Sequence, residues 1–340
     1  MSDEMWGISL LWALVFIYGI AGSVDFGAGF WAMVFYRERD ARAATIANRY
    51  LSPLWEVTNV FLVLFAVAMV GLFPLVAYML GSVLLVPGSL ILILLTIRSV
   101  FMVFAHASQA HQRMLRVVSG LTGLLIPALL MTVLPVAQGG LLRTVDGHLE
   151  LPLGALFSSP TVYAYILLGL LSELFLSAMI LADYSRVAND TSAFHAYRSY
   201  ALWLGPLALL SALLALWSIP SSTAWLNYGL WAQWPWFVAS AGCFAIGMIL
   251  AWSTGTAMKH RFRTAVVCIV AQYALAMVGY GRAHMPYLVY PVATVHNSFT
   301  NSEIFRAAVV ILIVGVAILF PGFVWFWRLF LENRAYVGKE

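Results

Sequence analysis

The sequence contains very little charge. Only 9% of its 340 residues are Asp, Glu, Lys or Arg, whereas 63% are hydrophobic, and the mean hydropathy is +0.91. A water-soluble domain of this length cannot bury so much apolar surface, so the composition excludes a soluble globular protein. The apolar residues also occur in long uninterrupted runs, unlike the periodic stripe of a soluble helix. We therefore predict an integral membrane protein.

Cysteine is also scarce, and the N-terminus lacks a basic segment. The two cysteines, Cys243 and Cys268, fall inside apolar runs, where a small packing role is favoured over a disulfide or a metal site. Residues 1–6 include Asp3 and Glu4 but no Lys or Arg, so the basic region of a cleaved signal peptide is missing. The first apolar run is therefore expected to remain as a helix.

Long apolar runs define the expected spans. A spanning helix needs roughly 20 apolar residues, because lipid offers no partners to backbone polar groups. Nine runs meet or approach this length: residues 8–36, 54–79, 83–104, 117–134, 162–182, 200–217, 231–252, 264–280 and 307–329. The second and third runs are separated by little more than Gly81 and Ser82, which predicts an antiparallel helical hairpin. The chain is thus expected to be an all-α, polytopic membrane protein with a single domain over residues 1–340.

Basic residues are concentrated in every second connection between the runs. They follow runs one, three, five and seven and end the chain: Arg37, Arg39, Arg42, Arg49, Arg113, Arg116, Arg186, Arg198, Lys259, Arg261, Arg263, Arg328, Arg334 and Lys339. The alternate connections carry only Arg143, Arg282 and Arg306. The positive-inside rule then places the N-terminus outside and the C-terminus in the cytoplasm. The net charge of +4 reports this topology, and nucleic acid is not an expected partner.

Four ionisable residues lie within the apolar runs: Asp25, Glu56, Arg98 and Glu173. Such a residue costs on the order of 2.5 to 3.5 kcal/mol at the bilayer centre, so each one is a functional candidate. Asp25 shares a helix face with Gly22 and Gly29, which lets a neighbouring helix approach and bury the carboxylate against protein. Asp25 is consistent both with a structural carboxylate and with a proton-relay group.

Glu56 is expected at the start of the second span, just after Ser52 and Pro53. A carboxylate in a first turn is favoured by the helix dipole, which is one explanation for it. The other is a proton uptake path, because the predicted topology puts Glu56 on the cytoplasmic side, from which Asp25 is also reached. Both explanations remain open at this stage.

Arg98 and Glu173 lie deeper in their spans. Arg98 is expected to pair with a carboxylate, to contact another subunit, or to tune a nearby cofactor, because an unpaired guanidinium is expensive in lipid. Glu173 lies near the middle of the fifth span, where Ser172 and Ser177 could form hydrogen bonds with it. It is a second candidate for a proton relay.

The histidines argue against haem in this chain. A membrane haem usually takes His or Met ligands from facing helices. Six histidines fall in predicted connections: His111, His148, His195, His260, His284 and His296. Only His106 touches a predicted helix, at its end. The tryptophan-rich segments at 225–231 and 325–327 lie near predicted helix ends, where an interfacial aromatic belt is favoured over a quinone-stacking site.

Three segments together resemble one known family over the whole chain. They are Asp25-Phe-Gly-Ala-Gly-Phe-Trp31, Arg49-Tyr-Leu-Ser-Pro-Leu-Trp-Glu-Val-Thr-Asn-Val-Phe-Leu-Val63 and the segment around Arg98, joined by the external Tyr287-Leu-Val-Tyr-Pro291. The family is subunit II of the cytochrome bd-type quinol oxidases. Asp25 matches the Asp of its Asp-x-Gly-x-Gly motif, Glu56 its acidic residue after Trp, and Arg98 its helix-three Arg. Many relatives have Trp-Asp-Gly-Asn here, so this chain keeps a carboxylate with a longer reach.

The resemblance implies a heterodimeric oxidase. Its haem-bearing subunit I would carry two b-type haems and haem d, oxidise quinol and reduce dioxygen to water. Subunit II would have two four-helix bundles plus one peripheral helix, bind no haem, support assembly and help to deliver protons. A structural quinone and a small single-helix accessory subunit are further candidates.

The expected proton pathway uses Asp25, Glu56 and Glu173, with Arg98 and Asn59 as buried or partner-contacting polar residues. The alternative from another class is a proton-coupled secondary transporter, because buried acids also couple transport to proton flow. The broken helices and repeat symmetry typical of transporters are not evident in the sequence.

Overall fold

The fold is described from a computed structural model that covers residues 2–37, 41–107, 112–145, 148–253 and 259–327. In these ranges the α-helices are α1 (Asp3–Val34), α2 (Ala41–Leu72), α3 (Pro74–Val83), α4 (Leu85–Ala107), α5 (Gln112–Met131), α6 (Val133–Ala137), α7 (Leu153–Ser158), α8 (Pro160–Val187), α9 (Thr191–Trp217), α10 (Ala224–Ala232), α11 (Trp234–Ser253), α12 (Lys259–His284), α13 (Val295–Ser298) and α14 (Ser302–Trp327). Two antiparallel hairpins join β1 (Arg143–Val145) to β2 (His148–Glu150) and β3 (Tyr287–Val289) to β4 (Ala293–Thr294).

Long apolar helices dominate the structure. Among the described residues, eight helices are long and apolar enough to cross a membrane, and a bent pair of helices supplies a ninth span if it is counted as one. A helix pairs its backbone polar groups within itself, which is why the apolar runs take this form in lipid. The prediction of an all-α membrane protein with about nine spanning helices is confirmed.

The second span is bent, contrary to the prediction of one helix over 54–79. α2 ends at Leu72, and α3 leaves at an angle of 118° to it. Phe73 takes a non-helical conformation (φ −133°, ψ 62°), and Pro74 occupies the first turn of α3, where its missing N–H costs no hydrogen bond. The predicted turn at residues 81–82 is therefore also wrong, because both residues lie inside α3.

Several helices begin earlier than hydropathy indicates, and α2 and α9 do so by the largest margins. α2 begins at Ala41, so Glu56 lies well inside the helix and its predicted place in a first turn is wrong. α9 begins at Thr191, where the side chain of Asp190 caps the helix by accepting a hydrogen bond from the backbone N–H of Ala193 at 3.0 Å. The Asp190 cap sets the start of α9, and a polar first turn is not detected by a search for apolar runs.

Most histidines predicted to lie in connections belong to regular elements. These are His148 in β2, His195 in α9, His260 and His284 in α12, and His296 in α13. His148 and His296 still lie in the long connections between spans, as predicted, and His111 lies outside the described residues. The prediction is wrong for His195, His260 and His284, which lie near the ends of long helices because these helices extend beyond their apolar stretches.

The helices pack in two neighbouring groups. In the N-terminal half, α1 packs against α2 and α5, and α4 packs against α5. In the C-terminal half, α8 packs along α9, and α11 along α12. α1 and α5 also contact α8, so the groups share a core that contains Trp31, Phe35, Phe175, Phe194 and Phe262. α14 contacts little of the rest and is exposed over most of its length.

The two longest predicted connections meet each other in the structure. The first contains the β1–β2 hairpin and α7, and the second contains the β3–β4 hairpin and α13. The backbone N–H of Tyr290 donates to the carbonyl of Ala137 at 2.9 Å. Gly139 has φ +92°, and a Cβ at this position would collide with the carbonyl oxygen of Tyr290. Both connections are thus ordered, as their mixture of Pro, Gly and aromatic residues predicts.

Candidate functional site

A buried ion pair joins α1 to α4. Nη2 of Arg98 donates to Oδ1 of Asp25 at 3.1 Å and to the backbone carbonyl of Asp25 at 2.9 Å. Each residue is only 1% exposed. A buried charge without a partner would cost several kcal/mol, so each of these two charges requires the other. Of the alternatives open to Arg98 from the sequence, the structure shows pairing with a carboxylate.

The second terminal nitrogen of the guanidinium forms hydrogen bonds with α5. Nη1 of Arg98 donates to the carbonyl of Ser119 at 2.7 Å and to its Oγ at 3.2 Å. The ring of Phe26 lies 5.0 Å from the guanidinium carbon, which adds a cation–π contact. Arg98 therefore ties α1, α4 and α5 together through one side chain, while its Nε has no hydrogen-bond partner among the described residues.

Glycines on α1 make this close approach sterically feasible. A Cβ at Gly29 would lie 2.7 Å from Oγ of Ser119 and 3.1 Å from Nη1 of Arg98. A Cβ at Gly27 would collide with Ser177 of α8. Helices come this near only where one of them lacks a side chain. The sequence-based expectation that glycine lets a neighbour bury Asp25 agrees with the structure at Gly29.

Glu173 of α8 lies beside the ion pair. It is 1% exposed, and neither carboxyl oxygen has a hydrogen-bond partner among the described residues. Its carboxyl group is close enough to Arg98 and Asp25 for electrostatic interaction with both. The structure thus brings together three of the four ionisable residues that the sequence singles out within the spans.

The hydroxyl groups expected to bond Glu173 have other roles. Oγ of Ser177 donates to the carbonyl of Leu174 at 3.1 Å and accepts the indole N–H of Trp31 at 3.0 Å. The expectation that Ser177 or Ser172 bonds the carboxyl group is therefore wrong for the described residues. The sequence spacing predicted these bonds, but they do not form because side-chain direction as well as spacing determines which groups meet.

Tyr18 is a member of the site that sequence reasoning missed. Its hydroxyl is buried without a hydrogen-bond partner among the described residues, and it interacts electrostatically with Asp25 and Arg98. Tyr18 precedes Asp25 by two helical turns on the same face of α1. That spacing was the available signal, but a tyrosine in an apolar run resembles a packing residue. We call Tyr18, Asp25, Arg98, Ser119 and Glu173 the buried polar cluster.

Two other predicted site residues lie on α2. The backbone of Glu56 belongs to this helix, but its side chain lies outside the part of the chain that the structure describes. Asn59 is half-buried and follows the buried Thr58, which contacts the α1 face at Gly22. The assigned roles of Glu56 and Asn59 remain predictions.

A second polar cluster, which no sequence pattern indicated, joins α8 and α12 near the ordered connections. Nε2 of Gln138 donates to the phenol oxygens of Tyr165, at 2.5 Å, and Tyr280, at 3.1 Å. Trp225 stacks on Tyr290 with ring centroids 4.8 Å apart. Trp225 is half-buried, whereas Trp231 and Trp325 are exposed, and the interfacial aromatic belt stays a prediction for both tryptophan-rich segments.

The described residues offer no cluster for a metal ion. No group of three or more His, Cys, Asp or Glu side chains in these ranges could hold one. His284 engages the carbonyl of Tyr287 through Nδ1 at 2.9 Å, and His296 contacts Oε1 of Glu4 at 3.0 Å. These two rings therefore already have protein partners at helix ends.

An apolar groove lies between α8 and α9. It has a volume of about 370 Å³, and its lining includes Tyr163 and Ser218. The hydroxyl of Tyr163 donates to the carbonyl of Phe157 at 2.7 Å, and that of Ser218 to the carbonyl of Ala215 at 2.8 Å. Both hydroxyls therefore already donate to carbonyl groups of the protein, and a structural quinone in this chain stays a prediction.

Comparisons with known proteins agree with this architecture. A sequence profile described as cytochrome bd terminal oxidase subunit II matches residues 4–330. A Bacillus subtilis (strain 168) protein, provisionally named as a cytochrome bd menaquinol oxidase subunit II, is 43% identical over 100% of this chain and 99% of its own length. The solved structure of bd oxidase from Geobacillus thermodenitrificans matches with a TM-score of 0.83 at 37% identity, covering 98% of this chain and 100% of that chain.

The fold and the buried polar cluster define a multi-pass membrane protein with charged residues held inside its helical core. The comparisons identify its kind: the chain belongs to the cytochrome bd terminal oxidase subunit II family. It is therefore a subunit of a respiratory oxidoreductase complex and implies a partner subunit I. The resemblance stated from the Asp25, Glu56 and Arg98 segments is confirmed.

Removal of one partner of the buried ion pair should destabilise the protein strongly. Arg98→Gln leaves the Asp25 carboxylate buried without its cation, which typically costs about 3 to 5 kcal/mol. We expect a clearly lower midpoint in thermal unfolding of the purified complex, and partial recovery in the double variant Asp25→Asn with Arg98→Gln.

The matched control is Arg263→Gln, because Arg263 pairs with Asp183 at 3.2 Å but is 65% exposed. Exposed pairs contribute roughly 0 to 1 kcal/mol, so its midpoint should hardly move. Equal shifts for Arg98→Gln and Arg263→Gln would show that the buried pair does not stabilise the bundle.

Proposed function

We propose that this chain is the haem-free subunit II of a cytochrome bd-type complex that oxidises quinol and reduces dioxygen to water. The observation that carries the proposal is the match to the family over residues 4–330, which includes every helix of the buried polar cluster. The name of the Bacillus subtilis relative favours menaquinol as the substrate. The two b-type haems and haem d belong to subunit I, and a small accessory subunit is a further candidate partner.

The helix contacts support a structural role in assembly. α1, α2, α4 and α5 form one proposed four-helix bundle, and α8, α9, α11 and α12 form the other. α14 is the proposed peripheral helix, since it contacts little else. In this arrangement the chain is one membrane domain that completes the oxidase next to subunit I.

The positions of the histidines support the absence of haem from this chain. Haem ligands in a membrane bundle come from facing helices at a common depth. His195, His284 and His296 lie near helix ends, and the last two rings already contact other groups. Haem chemistry is therefore assigned to subunit I.

Proton delivery is the proposed chemical role. Protons enter from the cytoplasm past Glu56 and move inward toward Asp25 and Glu173, because carboxyl groups can take up and release protons where water is scarce. Arg98 holds Asp25 in place through two hydrogen bonds. Glu173 is the more mobile proton carrier, since no described residue forms a hydrogen bond with its carboxyl group.

The transporter alternative is not favoured by the broken span that the described residues contain. The bend at Phe73 packs near Gly7, whose Cβ position lies 3.6 Å from the Phe73 ring. Gly7 and Asp25 are 18 residues apart on α1, which is ~27 Å at ~1.5 Å per residue. Transporters place their broken helices at the substrate site near the midplane, but this bend is far from the buried carboxylates.

The assignment predicts a haem-bearing partner. Purification of the chain from its native membrane in mild detergent should yield a larger membrane subunit in constant ratio. A reduced-minus-oxidised absorption spectrum should show b-type and d-type haem bands. A chain that purifies alone without haem, and moves protons in vesicles when a substrate is added, would instead establish the transporter.

The proton pathway predicts slow turnover without its carboxylates. Glu56→Gln, Asp25→Asn and Glu173→Gln should each lower quinol:dioxygen turnover about tenfold or more, because an amide cannot exchange protons in this way. Haem content should be retained, which separates slow proton delivery from failed assembly.

The control is Glu150→Gln, which changes an exposed carboxylate on β2 and should leave turnover unchanged. Unchanged turnover and pH dependence in both Glu56→Gln and Asp25→Asn would rule out the pathway. Loss of haem or of subunit I in these variants would favour a purely structural role.

The proposed topology places the β1–β2 hairpin outside and the start of α9 in the cytoplasm. In a variant that carries Cys243→Ser and Cys268→Ser, Glu150→Cys should react with a membrane-impermeant maleimide on intact cells. Thr191→Cys should react only after the membrane is permeabilised. The reverse pattern would invert the topology and move Glu56 to the external side.

A further inference from the structure

α11 and α12 pack against each other in a regular antiparallel register. Oγ of Ser240 donates to the carbonyl of Gln272 at 2.9 Å. Seven residues further along α11, a Cβ at Gly247 would lie 3.2 Å from the carbonyl oxygen of Ala265, which is seven residues before Gln272. Small residues therefore bring the two backbones close together at both points.

This register places the two cysteines of the chain at one level. Position 240 faces 272 and position 247 faces 265, so Cys243 lies opposite residue 269. Cys268 is the neighbouring residue, offset by only ~1.5 Å along the helix. The thiol groups are near enough for electrostatic interaction.

The cysteines also share the same edge of the interface. Successive helix positions are rotated by about 100°, so 243 and 244 lie on opposite edges of the α11 face, as do 268 and 269 on α12. Phe244 and Ile269 pack in the central hydrophobic core. Cys243 and Cys268 therefore lie together on the edge away from that core, and both are only half-buried.

We propose that Cys243 and Cys268 form a dithiol site that a lipid-soluble quinone oxidises to a disulfide. Two S–H bonds break and one S–S bond forms, while two electrons and two protons convert the quinone to a quinol. A disulfide requires Cα atoms about 4.4 to 6.8 Å apart, a separation that closely packed backbones allow. Cys243 and Cys268 would then have a redox role in addition to the packing role predicted from the sequence.

The position of the pair favours a quinone over a water-soluble oxidant. The half-buried edge lies within two predicted spans and faces away from the protein core, where hydrophobic molecules have access. Quinone is the product of the activity proposed above, so the identity of the oxidant rests on that proposed function. The disulfide would join α11 to α12 when quinone accumulates in the membrane.

The test counts free thiols in the intact complex in lipid nanodiscs. The probe is 2,3-dimethyl-1,4-naphthoquinone, whose substituted ring carbons disfavour direct addition of a thiol. After anaerobic incubation, which prevents the complex from oxidising the quinol, the protein is denatured and treated with a polyethylene-glycol maleimide, which adds one gel increment for each free thiol. We expect two increments with the quinol form, none with the quinone, and two again after dithiothreitol.

Single variants distinguish a disulfide from separate modification. Cys243→Ser and Cys268→Ser should each retain one increment under both conditions, because neither can form the bond. Two increments after quinone treatment of the unsubstituted protein would overturn the proposal, and so would loss of the remaining thiol in a single variant.

Oxidation by copper–phenanthroline tests whether the two thiols are close enough to form a disulfide, independently of whether a quinone oxidises them. If copper–phenanthroline removes both thiols and the quinone removes neither, the thiols are close but the quinone is not their oxidant, and the proposal fails. The oxidant is added and no turnover is needed, so the result does not depend on oxidase activity. A failure of the proposed function would show separately, as a complex that consumes no quinol.

Discussion

The burial of the Arg98 guanidinium is the constraint on which the interior depends. A charge at this depth is tolerated only where carboxylate and carbonyl oxygens surround it. Asp25 supplies both kinds of oxygen and Ser119 supplies another carbonyl, so α1, α4 and α5 must converge on one point. That convergence requires the missing side chain at Gly29. The electrostatic requirement of one residue thereby sets the packing of three helices.

The same close packing also positions Glu173 in the buried polar cluster. Gly27 lets α8 approach α1, and this approach brings Glu173 near the ion pair. The carboxyl groups of Asp25 and Glu173 both interact electrostatically with the Arg98 guanidinium, but only Asp25 forms hydrogen bonds with it. One acid is held in place and the other is left without a described hydrogen-bond partner. This difference in partners is the physical basis for assigning a positioning role to Arg98 and a carrier role to Glu173.

Sequence reasoning failed mainly where local geometry opposed hydropathy. The run 54–79 is apolar throughout, yet the chain turns at Phe73 because Pro74 starts a new helix there. The helices α2 and α9 extend into polar segments, because backbone hydrogen bonds continue the helix there, and at α9 the Asp190 cap also stabilises the helix start. Ser177 bonds Trp31 instead of Glu173, since its direction is set by the approach of α8 to α1. Tyr18 escaped notice because a tyrosine in an apolar run resembles a packing residue.

The sequence alone determined the membrane setting, the helical class, the approximate number of spans and the buried charged residues, because each follows from local composition and spacing. The family also followed from short local segments. Only the tertiary structure decided that Arg98 pairs with Asp25, that Glu173 joins them, and that Cys243 and Cys268 lie at one level of neighbouring helices. These pairings join residues far apart in the chain, and they depend on the depth, rotation and separation of whole helices. No local pattern encodes those quantities, since they result from packing all the helices at once.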